Sequence, residues 1–522
     1  MASFEEASSA LYDAFHSLTA SQVSAAVFIF LFTRWFLQGI YRVYFHPLSH
    51  FPGPRSSAFT RIPQLYATAT GKLHVYVASC HNKYGHVVRI SPNEISFTNS
   101  EAWRDIYGYG SKTGPGSAPP KHWVRYGESP NGVAPILQDS DDANHARVRK
   151  IFSPAFSERA IKEQEPLFTK YVNQLVQILK DGIAASTTDA ATYDLVSLYS
   201  FTTFDVMSDL TFGEPLHMLT TGSYDPWVRT ILGALKANLR LNLVKAHYPL
   251  AAKILHPIME ALFSKMRFEL FDTNVKRVTK RLEKGRQSKV GVDLWDLVLN
   301  QEEKGKRGLS RGEMDSNATT FMVAGTETTA TLLSGLTYLL LTNPECQAKL
   351  VHEIRTTFQE EANIDMESIV RLPYLKACIS EAFRLYPPVA VGLPHLTPSD
   401  GSTICGHFIP PNASHKITVS ASHYAMYTSD RNFTDPHSFI PERWTGDARF
   451  ADDERAALQP FSVGPRDCLG KNMAYHEMRL IMTKVLWNFD LELCEESKGW
   501  LDQTVYTLWQ KGPLVMKAKL AG

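Results

Sequence analysis

The stretch 459-QPFSVGPRDCLG-470 places one cysteine, Cys468, among residues that break regular structure: Gly464, Pro465 and Gly470. A lone cysteine is most often a small buried hydrophobe. Here the surroundings suit a thiolate held still. Gly464 and Pro465 enforce a turn that directs backbone N–H groups toward the sulfur. A helix predicted to start just after Cys468 stabilises negative charge through its N-terminal dipole. Gly470 lets that helix start approach something flat, where a Cβ would clash. Arg466 reaches an anionic group, and Phe461 shields the sulfur. Zinc needs further nitrogen or sulfur ligands nearby, and the sequence offers none at suitable spacing. An axial thiolate ligand of haem iron fits the pattern.

Upstream, 310-SRGE-313 is a capping-box helix start, followed by an apolar-rich run to Asn343-Pro344. This predicts roughly nine helical turns. Asn343 is expected to cap the next helix, with Pro344 at its first position. The run is apolar nearly all round, so the helix is expected to cross the middle of the molecule. Within it lies 324-AGTETT-329. The small pair Ala324-Gly325 opens a groove, and Glu327 beside Thr328 makes a minimal proton relay. Taken alone, these threonines would be read as satisfying helix carbonyls. Glu381 and Arg384 in 381-EAFR-384 share a helix face. His145 and Arg149 in 144-NHARVRKIF-152 lie one turn apart on one face, with Arg147 pointing elsewhere.

These stretches, in this order, resemble the cytochrome P450 superfamily. FSVGPRDCLG matches its FxxGxRxCxG signature at Phe461, Gly464, Arg466, Cys468 and Gly470. AGTETT resembles its oxygen-binding segment, and EAFR with 441-PERW-444 resembles its ExxR–PER arrangement. The resemblance implies a mainly α cytochrome P450 fold, a helix-rich haem domain with small peripheral β sheets. It implies heme b (iron protoporphyrin IX), with Cys468 as the metal ligand. Arg466, Phe461, Gly470, His145 and Arg149 would bind the cofactor, the basic ones through its propionates. Glu327 and Thr328 would be catalytic. Glu381, Arg384 and Arg443 would form a structural network behind the haem. One departure stands in 391-VGLPHLTP-398: His395 occupies the place where members commonly carry a propionate-binding arginine. Histidine still donates a hydrogen bond, but its charge depends on pH. The resemblance runs from His46 to the C-terminus. YFHPLSHFPGP and FTTFDVMSDLTFGEP are similar to stretches of fungal membrane-bound members of secondary metabolism.

The 522 residues carry 54 Lys+Arg against 53 Asp+Glu, a balance that gives no reason to expect nucleic acid as a partner. Six scattered cysteines without CxxC pairs read as reduced thiols. Residues 18–41 are long and apolar enough to span a bilayer, with Arg34 snorkelling to the near interface. Acidic residues precede this run and Arg42 and Arg55 follow it, so the body is expected in the cytosol and the sequons at Asn317, Asn412 and Asn432 unglycosylated. The organisation expected is a short lumenal segment (1–17), a single-pass transmembrane anchor in the endoplasmic reticulum membrane (18–41), a stiff proline-rich linker (42–54) and the catalytic domain (55–522). Residues 107–123 read as a long loop, 139–286 as mostly helical, and 285–312 as a polar surface connection. The implied function is a haem-thiolate monooxygenase that uses O2, oxidises a hydrophobic terpenoid or polyketide by hydroxylation or epoxidation, and takes electrons from a separate NADPH-cytochrome P450 reductase. Lys471, Arg479 and Arg147 are candidates to dock the reductase. Cavity walls are expected from residues 107–135, 201–250, 321–324 and 389–393. The alternatives are a haem-thiolate isomerase or dehydratase that does not use O2, and a haem sensor or electron carrier.

Overall fold

The computed structural model describes residues 19–110, 119–122, 129–233, 253, 257, 268–269, 271–285, 293–303, 308–411 and 416–522. The expected segment 1–17, most of the loop at 111–128, the helical stretch at 234–250 and the sequon Asn412 lie outside them. The architecture is helical with small sheets at its edges. The main helices are α1 (Ala20–Tyr44), α2 (Asp142–Phe152), α3 (Glu158–Ala185), α4 (Leu195–Phe212), α5 (Arg311–Leu341), α6 (Pro344–Thr357), α7 (Pro373–Leu385) and α8 (Lys471–Asn488).

Helix α1 is long and apolar enough to cross a membrane, and starts at a capping box made by Thr19 and Gln22. Its aromatic residues Phe28, Phe30 and Phe32 are exposed. Its C-terminal half meets the body, with Trp35 and Phe36 edge-on to Phe59. The segment predicted as a stiff linker also lies against the body. Leu48 and Phe51 are buried, and the Arg89 N–H donates to the Pro52 carbonyl at 2.8 Å.

Two strands, β1 (Val87–Ser91) and β2 (Glu94–Phe97), form a hairpin, with Val87 opposite Phe97. A four-stranded sheet in the order β1-β2-β7-β4 adds β7 (Thr418–Ala421), parallel to β2, and β4 (His395–Leu396). A second hairpin pairs β5 (Ser402–Ile404) with β6 (His407–Ile409). The third sheet runs β3-β9-β8, from β3 (Ala190–Asp194), β9 (Val515–Leu520) and β8 (Phe489–Leu493). Strand β3 interrupts the stretch read as all-helical, because Ala190 to Asp194 pair antiparallel with the C-terminal strand.

Helix α5 has the predicted capping box at Ser310 and Glu313 and runs 31 residues through the core. Gly325 serves its packing. A Cβ there would meet the Met207 side chain of α4 at 2.9 Å, so the expected groove at Ala324-Gly325 is half filled. Asn343 also behaves differently from expectation. Its amide donates back to the Leu339 carbonyl at 2.7 Å, ending α5, and makes no side-chain cap for α6. The predicted surface connection at 285–312 contains the helix Leu294–Glu303, and Trp295 in it is fully buried, donating to the Thr211 carbonyl. Among the sequons, Asn317 and Asn432 are buried.

The Glu381 carboxylate is fully buried. Arg384 donates to it at 2.7 and 2.9 Å, Arg443 at 3.0 Å, the Trp444 indole at 2.9 Å and the Ile440 N–H at 3.0 Å. Arg443 also pairs with Asp453. The network is the one expected from ExxR–PER. Replacing Arg443 with Met leaves two buried carboxylates short of a cation and is expected to cost about 3–5 kcal/mol. An unchanged thermal-denaturation midpoint would contradict this.

Glu477 on α8 is buried, its Oε1 makes no hydrogen bond among the described residues, and desolvation pushes its carboxyl up to about 8. The unfolded chain ionises this group near its ordinary value, while the folded chain keeps the proton until about pH 8. The folded state therefore holds more protons in between, and stability falls as pH rises through that window, by up to about 1.4 kcal/mol per unit. Glu477→Gln is expected to flatten this slope and to stabilise the protein at the alkaline end. Denaturation midpoints of both forms across the window test it.

Candidate active site

The cysteine loop is shaped by backbone constraints that only particular residues meet. Gly464 has φ +82°, and a Cβ there would meet the Tyr107 carbonyl at 2.0 Å. The loop closes on itself where the Cys468 N–H donates to the Phe461 carbonyl at 2.9 Å. Phe461 packs edge-on to Phe383 of α7 at 5.3 Å and against Tyr475 of α8 at 5.1 Å. Gly470 is the N-cap of α8.

Cys468 is exposed, unlike Cys80, Cys346 and Cys378. Yet desolvation pushes its thiol up, the Gly470 backbone hydrogen bond pulling in the opposite direction and Asp467 adding to the rise. Accessible surface and desolvation hold together only if the sulfur faces an opening walled by protein. A Cβ on Gly470 would meet nothing within 4 Å, so the space beside the loop is open as a flat ligand requires. The expected pull of the helix N-terminus is present but is outweighed by burial. A metal bound at the sulfur would remove the proton outright.

Basic side chains converge beside this loop. Arg149 donates to the Asp467 carbonyl at 2.7 Å and its carboxylate at 2.5 Å. In return Arg466 donates to Asp142 of α2 at 2.5 and 3.1 Å. His145 is buried and pushed down to about 4 by desolvation, with Arg466, Arg149 and Lys121 adding to the effect. His395 is pushed down to about 4, again chiefly by desolvation. Its Nδ1 donates to the Pro119 carbonyl at 2.7 Å. In the neutral ring Nε2 then carries no hydrogen and donates only after the ring gains a second proton. Arg147 points away, as expected, to Glu313 and the Gly308 carbonyl.

Lys121 was not singled out from the sequence. It lies in the Gly/Pro-rich stretch, bridged antiparallel to His395, and donates to the Leu137 carbonyl at 2.5 Å. Desolvation, then Arg466, pushes it down to about 7. Cations that depress one another in a buried cluster favour an anionic ligand. A macrocycle bearing two carboxylates fits this donor set.

On α5, Ala324 is the one exposed residue between Gly312 and Leu341. Thr326, Thr328 and Thr329 all donate to the carbonyl one turn back, at 2.6, 2.6 and 3.1 Å. Thr326 and Thr329 are buried, whereas Thr328 is half-buried one turn from Ala324. Its oxygen keeps acceptor capacity on that accessible side. Glu327 turns elsewhere, to Lys511 at 2.8 Å. Phe321 is buried against Phe152 and Phe156, so of the expected wall 321–324 only Val323 and Ala324 retain access.

The family profile described as Cytochrome P450 matches residues 52–516. The chain is 45% identical over 500 residues to cytochrome P450 monooxygenase efuB of Hormonema carpetanum, covering 96% of each. It is 43% identical to cytochrome P450 monooxygenase FUM2 of Gibberella moniliformis, covering 92% of this chain and 99% of that one. It is 40% identical to cytochrome P450 monooxygenase astA of Talaromyces wortmannii, covering 92% and 94%. Fold and matches together define a haem-thiolate enzyme of the monooxygenase class. The chain belongs to the cytochrome P450 family.

Gly464→Ala strains a left-handed backbone and collides with the Tyr107 carbonyl. It is expected to reduce haem incorporation by about tenfold or more, if the resulting strain exceeds about 1.4 kcal/mol. Haem per polypeptide, measured on the reduced pyridine complex, tests this.

Proposed function

We propose that this enzyme oxidises a hydrophobic secondary metabolite, such as a terpenoid or polyketide, at the cytosolic face of the endoplasmic reticulum membrane. The observation that carries the site assignment is the Cys468 loop, an accessible cysteine between the left-handed Gly464 and the open side of Gly470. Haem bound at Cys468 supplies the redox chemistry, in which O2 and two electrons deliver one oxygen atom to a C–H bond or double bond and the other to water.

The residues of the chain do the rest. Cys468 provides the thiolate, and Phe461 keeps water from the sulfur. Arg466, Arg149, Lys121 and His145 hold the propionates, and His395 joins them when it is protonated. Thr328 presents its hydroxyl beside the accessible Ala324, and Glu327 is the neighbouring acid that replenishes its proton. Val323, Ala324 and residues 389–393 offer an apolar wall, which favours an apolar substrate.

The electron donor in this reading is a separate NADPH-dependent reductase. Lys471 is exposed for docking it, Arg479 lies over the Tyr475 ring at 5.1 Å, and Arg147 is committed to Glu313. In this reading helix α1 is the anchor, and the charge bias around it supports a cytosolic body.

Cys468→Ser is expected to abolish the thiolate-type Soret band of the reduced carbon monoxide complex, whereas Cys378→Ser retains it. Retention of that band in Cys468→Ser would refute the assignment. Thr328→Ala is expected to divert NADPH electrons from product to peroxide by about a hundredfold, the lower end of the range of general acid catalysis. The assay uses microsomes and the compound that accumulates when the gene is deleted.

A further inference from the structure

The acid of the central helix is held by a residue near the far end of the chain. Lys511 Nζ lies 2.8 Å from Glu327 Oε2 and 2.8 Å from Thr331 Oγ1. The two charged side chains are 6% and 7% exposed. The segment bearing Lys511 is pinned on both sides. The Trp509 indole donates to the Pro387 carbonyl at 2.7 Å, and the Trp500 indole to the Gly512 carbonyl at 2.9 Å. The Leu514 N–H donates to Asp194, and its carbonyl accepts from the Leu195 N–H. Lys511 therefore presents its ammonium from a fixed platform.

The pair decides which way the acid points. Glu327 and Thr331 are one turn apart and share a face of α5. Thr328 and Ala324 share another, about 100° around the axis. In the structure Glu327 lies on the Lys511 face and Thr328 donates to Ala324. A buried Lys–Glu pair gains little over apolar packing, so stability alone is weak grounds for one here.

We propose that Lys511 is a positioning residue for the proton relay: it holds the Glu327 side chain on the Thr331 face and sets when that acid reaches Thr328. This rests on the relay reading of Glu327 and Thr328 above. The other ionisable groups that feel Glu327 are Tyr224 and Tyr386. Tyr386 donates to Gln503 at 2.7 Å, and burial pushes both phenols up. Asp194, which acts on Tyr224, is occupied at the start of α4. Both phenols are neutral near pH 7, so among the described residues Lys511 is the charged side chain paired with Glu327.

The test uses full-length holoenzyme carrying Lys511→Met, Lys511→Arg, Glu327→Gln, or Lys511→Met with Glu327→Gln. The first readout is the stretching band of carbon monoxide on the reduced enzyme, from about pH 6 to pH 9. Wild type and Lys511→Arg are expected to give a band that does not move with pH. Lys511→Met is expected to give one that does, because the carboxylate has lost its counter-charge, and the double variant is expected to be flat again. A Lys511→Met band that coincides with wild type at every pH overturns the proposal.

The second readout is the pH profile of guaiacol oxidation driven by hydrogen peroxide. Lys511→Met is expected to move its acid limb upward by about one unit, the direction set by removing an adjacent cation. If Glu327→Gln leaves this profile unchanged, the relay reading itself fails. If Glu327→Gln alters it and Lys511→Met does not, the role of Lys511 alone fails. Should Lys511→Met not retain haem, Lys511→Arg and the charge-free double variant carry the test: a double variant whose profile departs from that of Glu327→Gln overturns the proposal.

Discussion

The Glu381 carboxylate is the constraint on which the cysteine side of the molecule depends. It accepts from two arginines, an indole and a backbone N–H, all away from water. Its arginines reach onward. Arg384 donates to the Tyr427 and Ser438 carbonyls at 2.9 Å, and Arg443 to the Thr434 carbonyl at 3.0 Å. The stretch from Tyr427 to Asp453 is mostly turns, with little regular ladder bonding of its own. Charged hydrogen bonds to its carbonyls replace that ladder. The cysteine loop begins a few residues later, so its position is inherited from a network that does not touch the sulfur. A buried network of this kind fails as a unit when one member is removed.

The basic side chains beside the cysteine loop differ in what holds them. Arg149 holds the Asp467 backbone carbonyl as well as its carboxylate, which ties α2 to the residue next to Cys468. Arg466 pairs with Asp142, whose side chain is 87% exposed. An exposed partner contributes little and is readily exchanged. Arg149 is thus tied into the loop itself, whereas the ion pair of Arg466 with Asp142 is of the kind that solvent screens. His395 makes sense in the same setting. Its Nδ1 is committed to Pro119, and Lys121 stands across the bridge from it as a second basic side chain.

Much of this was legible in the sequence wherever the physics is local. The capping box at Ser310, the Gly464 turn and the i, i+3 pair Glu381–Arg384 each lie within a few residues, and each is found as read. What stayed hidden depends on contacts between distant parts of the chain. Lys511 lies 184 residues from Glu327, and nothing around it in sequence marks it as a partner. Lys121 sits in a Gly/Pro-rich stretch whose composition signals only a loop. Strand β3 forms because Ala190 to Asp194 find the C-terminal strand, more than three hundred residues away. Gly325 reads in sequence as one half of a groove, but the side chain that fills its missing Cβ comes from α4.

Residue type alone also failed to separate the threonines of α5, and exposure does so. Thr326, Thr328 and Thr329 make the same bond to the carbonyl one turn back, the arrangement in which a helical threonine does nothing but satisfy backbone. Only Thr328 retains accessible surface, because Ala324 one turn away is too small to cover it. A larger residue at Ala324 would close that side and leave Thr328 equivalent to its neighbours. The accessibility of the hydroxyl is therefore written as much in the methyl group of Ala324 as in Thr328 itself. The acid beside it is in turn paired with a lysine that the helix does not contain.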